Sequence, residues 1–155
     1  MPEIIAFTKV KLPGGWLGNM APYPVTYGGK EFRTTEALFQ CYRFAHKPEI
    51  FEEIRAQKSP MAAKMIAKKH RADMLLAEAS DIFRMRTCLR LKIEQHPELR
   101  EKLLETGDAL IVEDCTNRDR GTARFWGAVL VDDEWQGRNM LGKLWMELRA
   151  DLREE

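Results

Sequence analysis

The chain is short of the residues that staple, metallate or anchor proteins. Its three cysteines, Cys41, Cys88 and Cys115, are odd in number and widely spaced among 155 residues, which is no disulfide framework and points to a reduced compartment. The three histidines, His46, His70 and His96, stand far apart and pair with no cysteine or carboxylate at ligand spacing, so no metal is expected. No apolar run approaches the ~20 residues needed to cross a bilayer, and no secretory segment opens the chain, so a cytoplasmic protein with no membrane partner is expected. Charge of one sign is missing too. With 25 Lys and Arg against 24 Asp and Glu, the formal net charge is +1, and bulk electrostatics gives no reason to bind a nucleic-acid duplex. Internal repeats, linkers and low-complexity stretches are absent, so one domain over 1–155 is expected, long enough to bury a core.

What is there is concentrated between Tyr27 and Phe44. The pair Gly28-Gly29 separates Val25-Thr26-Tyr27 from Glu31-Phe32, a two-residue hairpin signal, since glycine takes positive φ without steric cost. Thr34 or Thr35 then caps a helix, which puts Glu36 in the first turn, where exposed amides and the helix dipole favour a carboxylate. At about 100° per residue, Glu36, Gln40 and Arg43 share one stripe, Leu38, Cys41, Tyr42 and Ala45 the opposite face, and Phe39 and Phe44 flank the stripe. Such a stripe is either a solvated face or a site wall carrying an acid, an amide and a guanidinium between two rings.

The rest of the chain reads as mixed elements. Ile4 to Thr8 is an expected strand, and Pro13-Gly14-Gly15 a turn; Trp16 to Pro24 is an ordered loop in which Asn19 bonds either a ligand or local amides. Pro48 opens a helix burying Ile50, Phe51 and Ile54. Ser59-Pro60 opens another that buries Met61, Ala62, Met65 and Ile66 and presents Lys64, Lys68 and Arg71 as a basic stripe, fit for a phosphate or simply solvated. Ser80 or Asp81 caps a long helix reaching about Glu94, with Ile82, Met85, Leu89 and Ile93 inward. Pro97 starts a helix that Gly107 ends, Ala109 to Glu113 is a buried strand, and Asp114 to Arg124 is a polar loop before a second strand, Phe125 to Val131. Asn139 caps a last helix burying Leu141, Leu144, Trp145, Leu148 and Leu152.

The string Gly29-Lys30-x-Phe32-x-Thr34-Thr35-Glu36-x-x-Phe39-Gln40-x-x-Arg43-Phe44 resembles the signature of the YbiA-like, or NADAR, superfamily. Leu17-Gly18-Asn19-Met20, Met85-x-x-x-Leu89-x-x-Lys92-Ile93, Phe125-Trp126-Gly127 and Gly137-Arg138-Asn139-x-Leu141-Gly142 match its other segments in order, from about Phe7 to Arg149. Ala37 and Arg43 stand where the family has His and Lys. An Asp-Trp pair expected near Ala77 is missing, and Gly121 to Arg124 intervene between Asp119 and Phe125-Trp126.

The resemblance implies an α+β fold: a helix-dominated single domain of the YbiA-like type with a few short β-strands and a β-hairpin. It also implies an N-glycosidase, acting either on phosphoribosylamino pyrimidine intermediates of riboflavin synthesis or on ADP-ribosylated guanine. Cleaving an N-glycosidic bond passes through an oxocarbenium-like sugar, which asks for an anionic carboxylate and an activated water. Glu36 is assigned the first role, and Asp119 either orients the water or protonates the leaving base, with Asp114 in reserve. Arg43 and Arg71 would hold phosphate, Asn19 and Gln40 ribose or base, and Trp126 would stack or support the Asp119 loop. No cofactor is required. The expected partner is a small phosphoribosyl or ADP-ribosyl substrate, with an ADP-ribosylated nucleic acid as the second candidate. The alternatives are a non-catalytic module that binds ADP-ribose or a nucleotide, and an interaction protein using the basic stripe.

Overall fold

A computed structural model describes residues 3–155. It divides into two compact units, one from Asn19 to Pro97 and the other from the segments up to Gly18 and from Glu98 onward.

The Asn19–Pro97 unit is built around one short helix. Strands β1 (Val25–Tyr27) and β2 (Lys30–Phe32) form an antiparallel hairpin with Tyr27 opposite Lys30, and Gly28 and Gly29 at φ 59° and 76° make the turn. Helix α1 (Thr35–Tyr42) follows, capped by Thr34, whose hydroxyl accepts from the Ala37 amide at 3.1 Å. Helices α2 (Pro48–Arg55), α3 (Pro60–Lys69) and α4 (Glu78–Gln95) all pack against α1. Every residue from Thr35 to Cys41 is consequently buried, so the Glu36/Gln40 face is not a solvated one. A helix enclosed on all sides loses the amphipathic contrast that a surface helix shows.

Two expectations in this unit are corrected. The inward residues of α3 are Ala63 and Ala67, whereas Met61 and Met65 are 56% and 54% exposed; small residues at the contact let the α3 axis approach α1, which the longer methionines would prevent. Helix α4 begins at Glu78 after Ala77, three residues before the expected cap region ends. Ala77 makes no side-chain cap, and Asp81 sits inside the first turn with its carboxylate engaged by Arg43 and Arg84.

In the other unit, strand β3 (Ile4–Phe7) pairs in parallel with β4 (Leu110–Glu113), Ile4 opposite Leu110 and Phe7 opposite Glu113. Helix α5 (Pro97–Glu105) precedes β4 and ends before Gly107 at φ 60°. Helix α7 (Met140–Arg153) lies on β4 and buries the five expected residues, Leu141, Leu144, Trp145, Leu148 and Leu152; each such side chain contributes about 1.5–3 kcal/mol. The Trp145 indole donates to the Leu17 carbonyl at 3.0 Å.

The expected strand from Phe125 to Val131 is instead a short helix, α6 (Ala123–Trp126), followed by strand β5 (Val129–Val131). The amides of Phe125 and Trp126 both donate to Thr122 at 3.0 Å, closing a helical turn that apolar content alone did not disclose. A further strand, β6 (Glu134–Gln136), pairs with β5 across Asp132 and Asp133, both at positive φ. Asn139 occupies the N-cap position of α7 but makes no side-chain cap. In left-handed conformation at φ 49°, its side chain clamps β4, accepting from the Glu113 amide at 3.0 Å and donating to the Ile111 carbonyl at 2.8 Å.

Candidate active site

The hairpin and the Thr34 cap fix where α1 starts, and the loop before them joins that start to α4. The Glu36 amide donates to the Asn19 carbonyl at 3.1 Å, and the Thr35 hydroxyl to Asn19 Oδ1 at 3.1 Å. Asn19 Nδ2 reaches the Met85 thioether at 3.2 Å, a weak acceptor that a better one would replace.

From there a chain of polar contacts runs along α1. Gln40 Nε2 donates to Glu36 Oε1 at 3.1 Å, and Arg43 Nη1 donates to Gln40 Oε1 at 3.2 Å. Arg43 Nη2 reaches Asp81 Oδ2 at 3.3 Å, Arg84 Nη1 meets Asp81 Oδ1 at 3.1 Å, and Arg84 Nε ends the chain on the Tyr42 carbonyl at 3.1 Å. Glu36 and Gln40 are buried. Burial pulls the Arg43 guanidinium below its ordinary pKa, and the Asp81 and Glu36 charges oppose that pull. Its plane sits 5.1 Å from the Phe39 ring. Phe44, the other ring expected beside the stripe, is wholly in the core. Arg43 Nε is buried with no acceptor among the described residues; leaving a buried donor unpaired costs about 1–3 kcal/mol, which a water or a substrate oxygen would recover.

Of the residues expected at the site, Asn19, Glu36, Gln40 and Arg43 are brought together. Arg71, in a 3₁₀ turn after α3, is exposed, as are Lys64 and Lys68 on α3. Asp119 and Trp126 belong to the other unit. There Asp119 is exposed and doubly bonded by Arg124, Nε to Oδ1 at 3.0 Å and Nη2 to Oδ2 at 2.9 Å, which holds its carboxyl below the usual range. Asp114 accepts from the Thr116 amide at 2.9 Å, and half-buried Trp126 stacks edge-on against Phe125 at 4.7 Å.

Two polar residues of α4 stand in surroundings that the sequence does not announce. On the sequence Asp81 is a cap candidate and Lys92 one position of the family motif. The Asp81/Arg84 spacing of three was legible, but Arg43 lies 38 positions away. Lys92 is wholly buried, with its ammonium 5.3 Å from the Tyr23 ring, and burial lowers its pKa to about 7. The signal was periodicity, since Lys92 falls seven residues after Met85 on the apolar stripe.

A cavity of about 460 Å³ opens on the other face of α1, lined by Leu38, Tyr42, Phe83 and Cys88 among others and by none of the expected site residues. Its walls are mainly apolar, whereas the polar groups converge at Glu36, Gln40 and Arg43. Burial pushes the Cys88 thiol up, and Cys41 up to about 12, leaving both inert as nucleophiles. Among the described residues no three His, Cys, Asp or Glu side chains gather to hold a metal, and no helix is long and apolar enough to cross a membrane.

Comparison with known proteins agrees with the motif order. The N-glycosidase YbiA of Escherichia coli is 36% identical over 151 residues, covering 96% of this chain and 88% of that protein. An N-glycosidase of Nostoc punctiforme is 30% identical over 155 residues, covering 96% and 92%. The NMR structure of E. coli YbiA superposes with a TM-score of 0.82 at 36% identity, covering 99% of this chain and 87% of that one. The NADAR domain matches residues 6–153, and the chain belongs to the NADAR domain family.

Proposed function

We propose that this protein is an N-glycosidase that hydrolyses the bond between a ribosyl carbon and a base nitrogen, with Glu36 as its catalytic carboxylate. The observation that carries the reading is Glu36 itself, a buried acid held by an amide that only donates to it, in a chain whose relatives are named N-glycosidases. A fixed anion in a low-dielectric wall stabilises a developing oxocarbenium charge far better than the same anion in water.

Asp119, kept ionised by Arg124, suits the activation of water rather than protonation of the leaving base. Gln40 and Asn19 lie beside Glu36 and suit contacts to ribose or base. The unmet Arg43 Nε and the exposed Arg71 suit phosphate oxygens, because a guanidinium only donates. Phe125 and Trp126 are the aromatic groups closest in sequence to Asp119. These features fit a phosphoribosylated or ADP-ribosylated substrate.

The test is release of free base from a phosphoribosylamino pyrimidine and from ADP-ribosylated guanosine by wild type and Glu36→Gln. Cleavage of at least one, reduced about 10²- to 10⁴-fold in the variant, is expected for a positioned acid or base. Full activity in Glu36→Gln would remove Glu36 from the mechanism. Binding of ADP-ribose without cleavage of either substrate would replace the reading with a non-catalytic module.

A further inference from the structure

A primary amide has two ends of almost the same shape, and only its partners decide which way it faces. At Gln40 they decide unambiguously. Arg43 Nη1, which cannot accept, lies 3.2 Å from one end, so that end is the oxygen. The amino group is therefore the end 3.1 Å from Glu36 Oε1, which accepts from it. With the amide reversed, the oxygen would face Glu36 Oε1, two acceptors would oppose one another, and Glu36 would have to take up a proton or move. The direction of this one amide thus decides whether Glu36 Oε1 meets a donor or an acceptor.

What fixes Arg43 in turn is Asp81. The pair is 16% and 14% exposed at its side chains, so neither member is held loosely by solvent. Asp81 is itself braced, its second oxygen accepting from Arg84 Nη1 at 3.1 Å while Arg84 Nε is tied to the Tyr42 carbonyl. A guanidinium bonded at Nη2 to Asp81, at Nη1 to Gln40 and lying over the Phe39 ring has one orientation. Remove Asp81 and a buried cation loses its counter-charge, whereupon it turns toward water and releases the amide.

We propose that Asp81 is a positioning residue for Glu36, acting through Arg43 and Gln40 to hold the amide with its donor end on the catalytic carboxylate. The inference rests on the reading of Glu36 given above. It adds a fifth residue to the site, on a different helix, whose side chain bonds Arg43 and Arg84.

The experiment is a kinetic double-mutant cycle on the N-glycoside that wild type cleaves, using Asp81→Ala, Gln40→Met and the double variant, with folding of each checked by circular dichroism. Asp81→Ala should lower kcat about 10- to 100-fold, the scale of a small misplacement at the reacting centre, and should raise KM as well, because the guanidinium it releases also suits the substrate phosphate. Asp81→Asn, which keeps an acceptor and the volume, should recover part of the loss. In the Gln40→Met background, Asp81→Ala should have no further effect on kcat, because the amide through which it acts is gone. A purely structural role for Asp81 predicts the same factor in both backgrounds, and that result overturns the proposal, as does an unchanged kcat in Asp81→Ala. If Asp81→Ala does not fold, Asp81→Asn carries the same cycle with the same two outcomes. Glu36→Gln run alongside separates the failures: inactive Glu36→Gln with an additive cycle refutes only the role of Asp81, whereas active Glu36→Gln refutes the site.

Discussion

Replacing Lys92 with methionine should flatten the pH dependence of the protein's stability. Lys92 is completely buried, and burial brings its pKa from 10.5 down to about 7. In the unfolded chain the ammonium regains water and its ordinary pKa. Between those two values the unfolded state binds more protons than the folded one, so stability rises with pH across the window from about 7 to 10.5. At ~1.4 kcal/mol per unit, the penalty is about 4–5 kcal/mol at pH 7, where the folded lysine is half protonated, and has fallen to about 1–2 kcal/mol at pH 9.5. Urea denaturation of wild type and Lys92→Met at pH 7 and pH 9.5 measures this directly. Cys41, Cys88 and other groups that titrate above pH 8 contribute equally to both proteins and drop out of the difference. The wild type should gain on the variant by about 3 kcal/mol between the two pH values, a relative midpoint shift of about 1–3 M urea. Parallel pH dependence in the two proteins would refute the reasoning, since it would mean that the folded lysine keeps its charge and its contact with water.

Asn139→Ala should cost about 2–4 kcal/mol, because it strands the Glu113 amide and the Ile111 carbonyl and places a Cβ-bearing residue without a local polar side chain at φ 49°. Asn139→Gly should recover about 1 kcal/mol of that, the conformational part alone, in thermal denaturation. Thr34→Ala removes the one side-chain acceptor at the start of α1 and should lower stability by about 1 kcal/mol, while Thr34→Ser should be nearly neutral. With Glu36 two residues further on, the same alanine variant should also reduce turnover measurably if α1 frays at its first turn.

The sequence by itself determined the local pieces. Gly28-Gly29 could only turn, Thr34 or Thr35 and then Ser59 offered caps, and the i, i+3, i+4 spacing of Leu141, Leu144, Trp145 and Leu148 marked the buried face of α7, since each of these is written in neighbouring residues and in single-residue stereochemistry. It also placed Glu36, Gln40 and Arg43 on one stripe and, through the order of its motifs, indicated the family. Only the tertiary structure decided what those features face. That stripe is buried because α2, α3 and α4 enclose α1. Ala63 and Ala67, rather than the neighbouring methionines, meet α1 because helix axes approach most closely over small side chains. Phe125-Trp126 is helical because of a carbonyl at Thr122. Asn139 clamps a strand 26 residues away instead of its own helix. Asp81 meets Arg43 across 38 residues of chain. Contacts of that separation depend on how helices pack, and packing is settled by the summed shape and burial of many side chains, a quantity that no local pattern of residues contains.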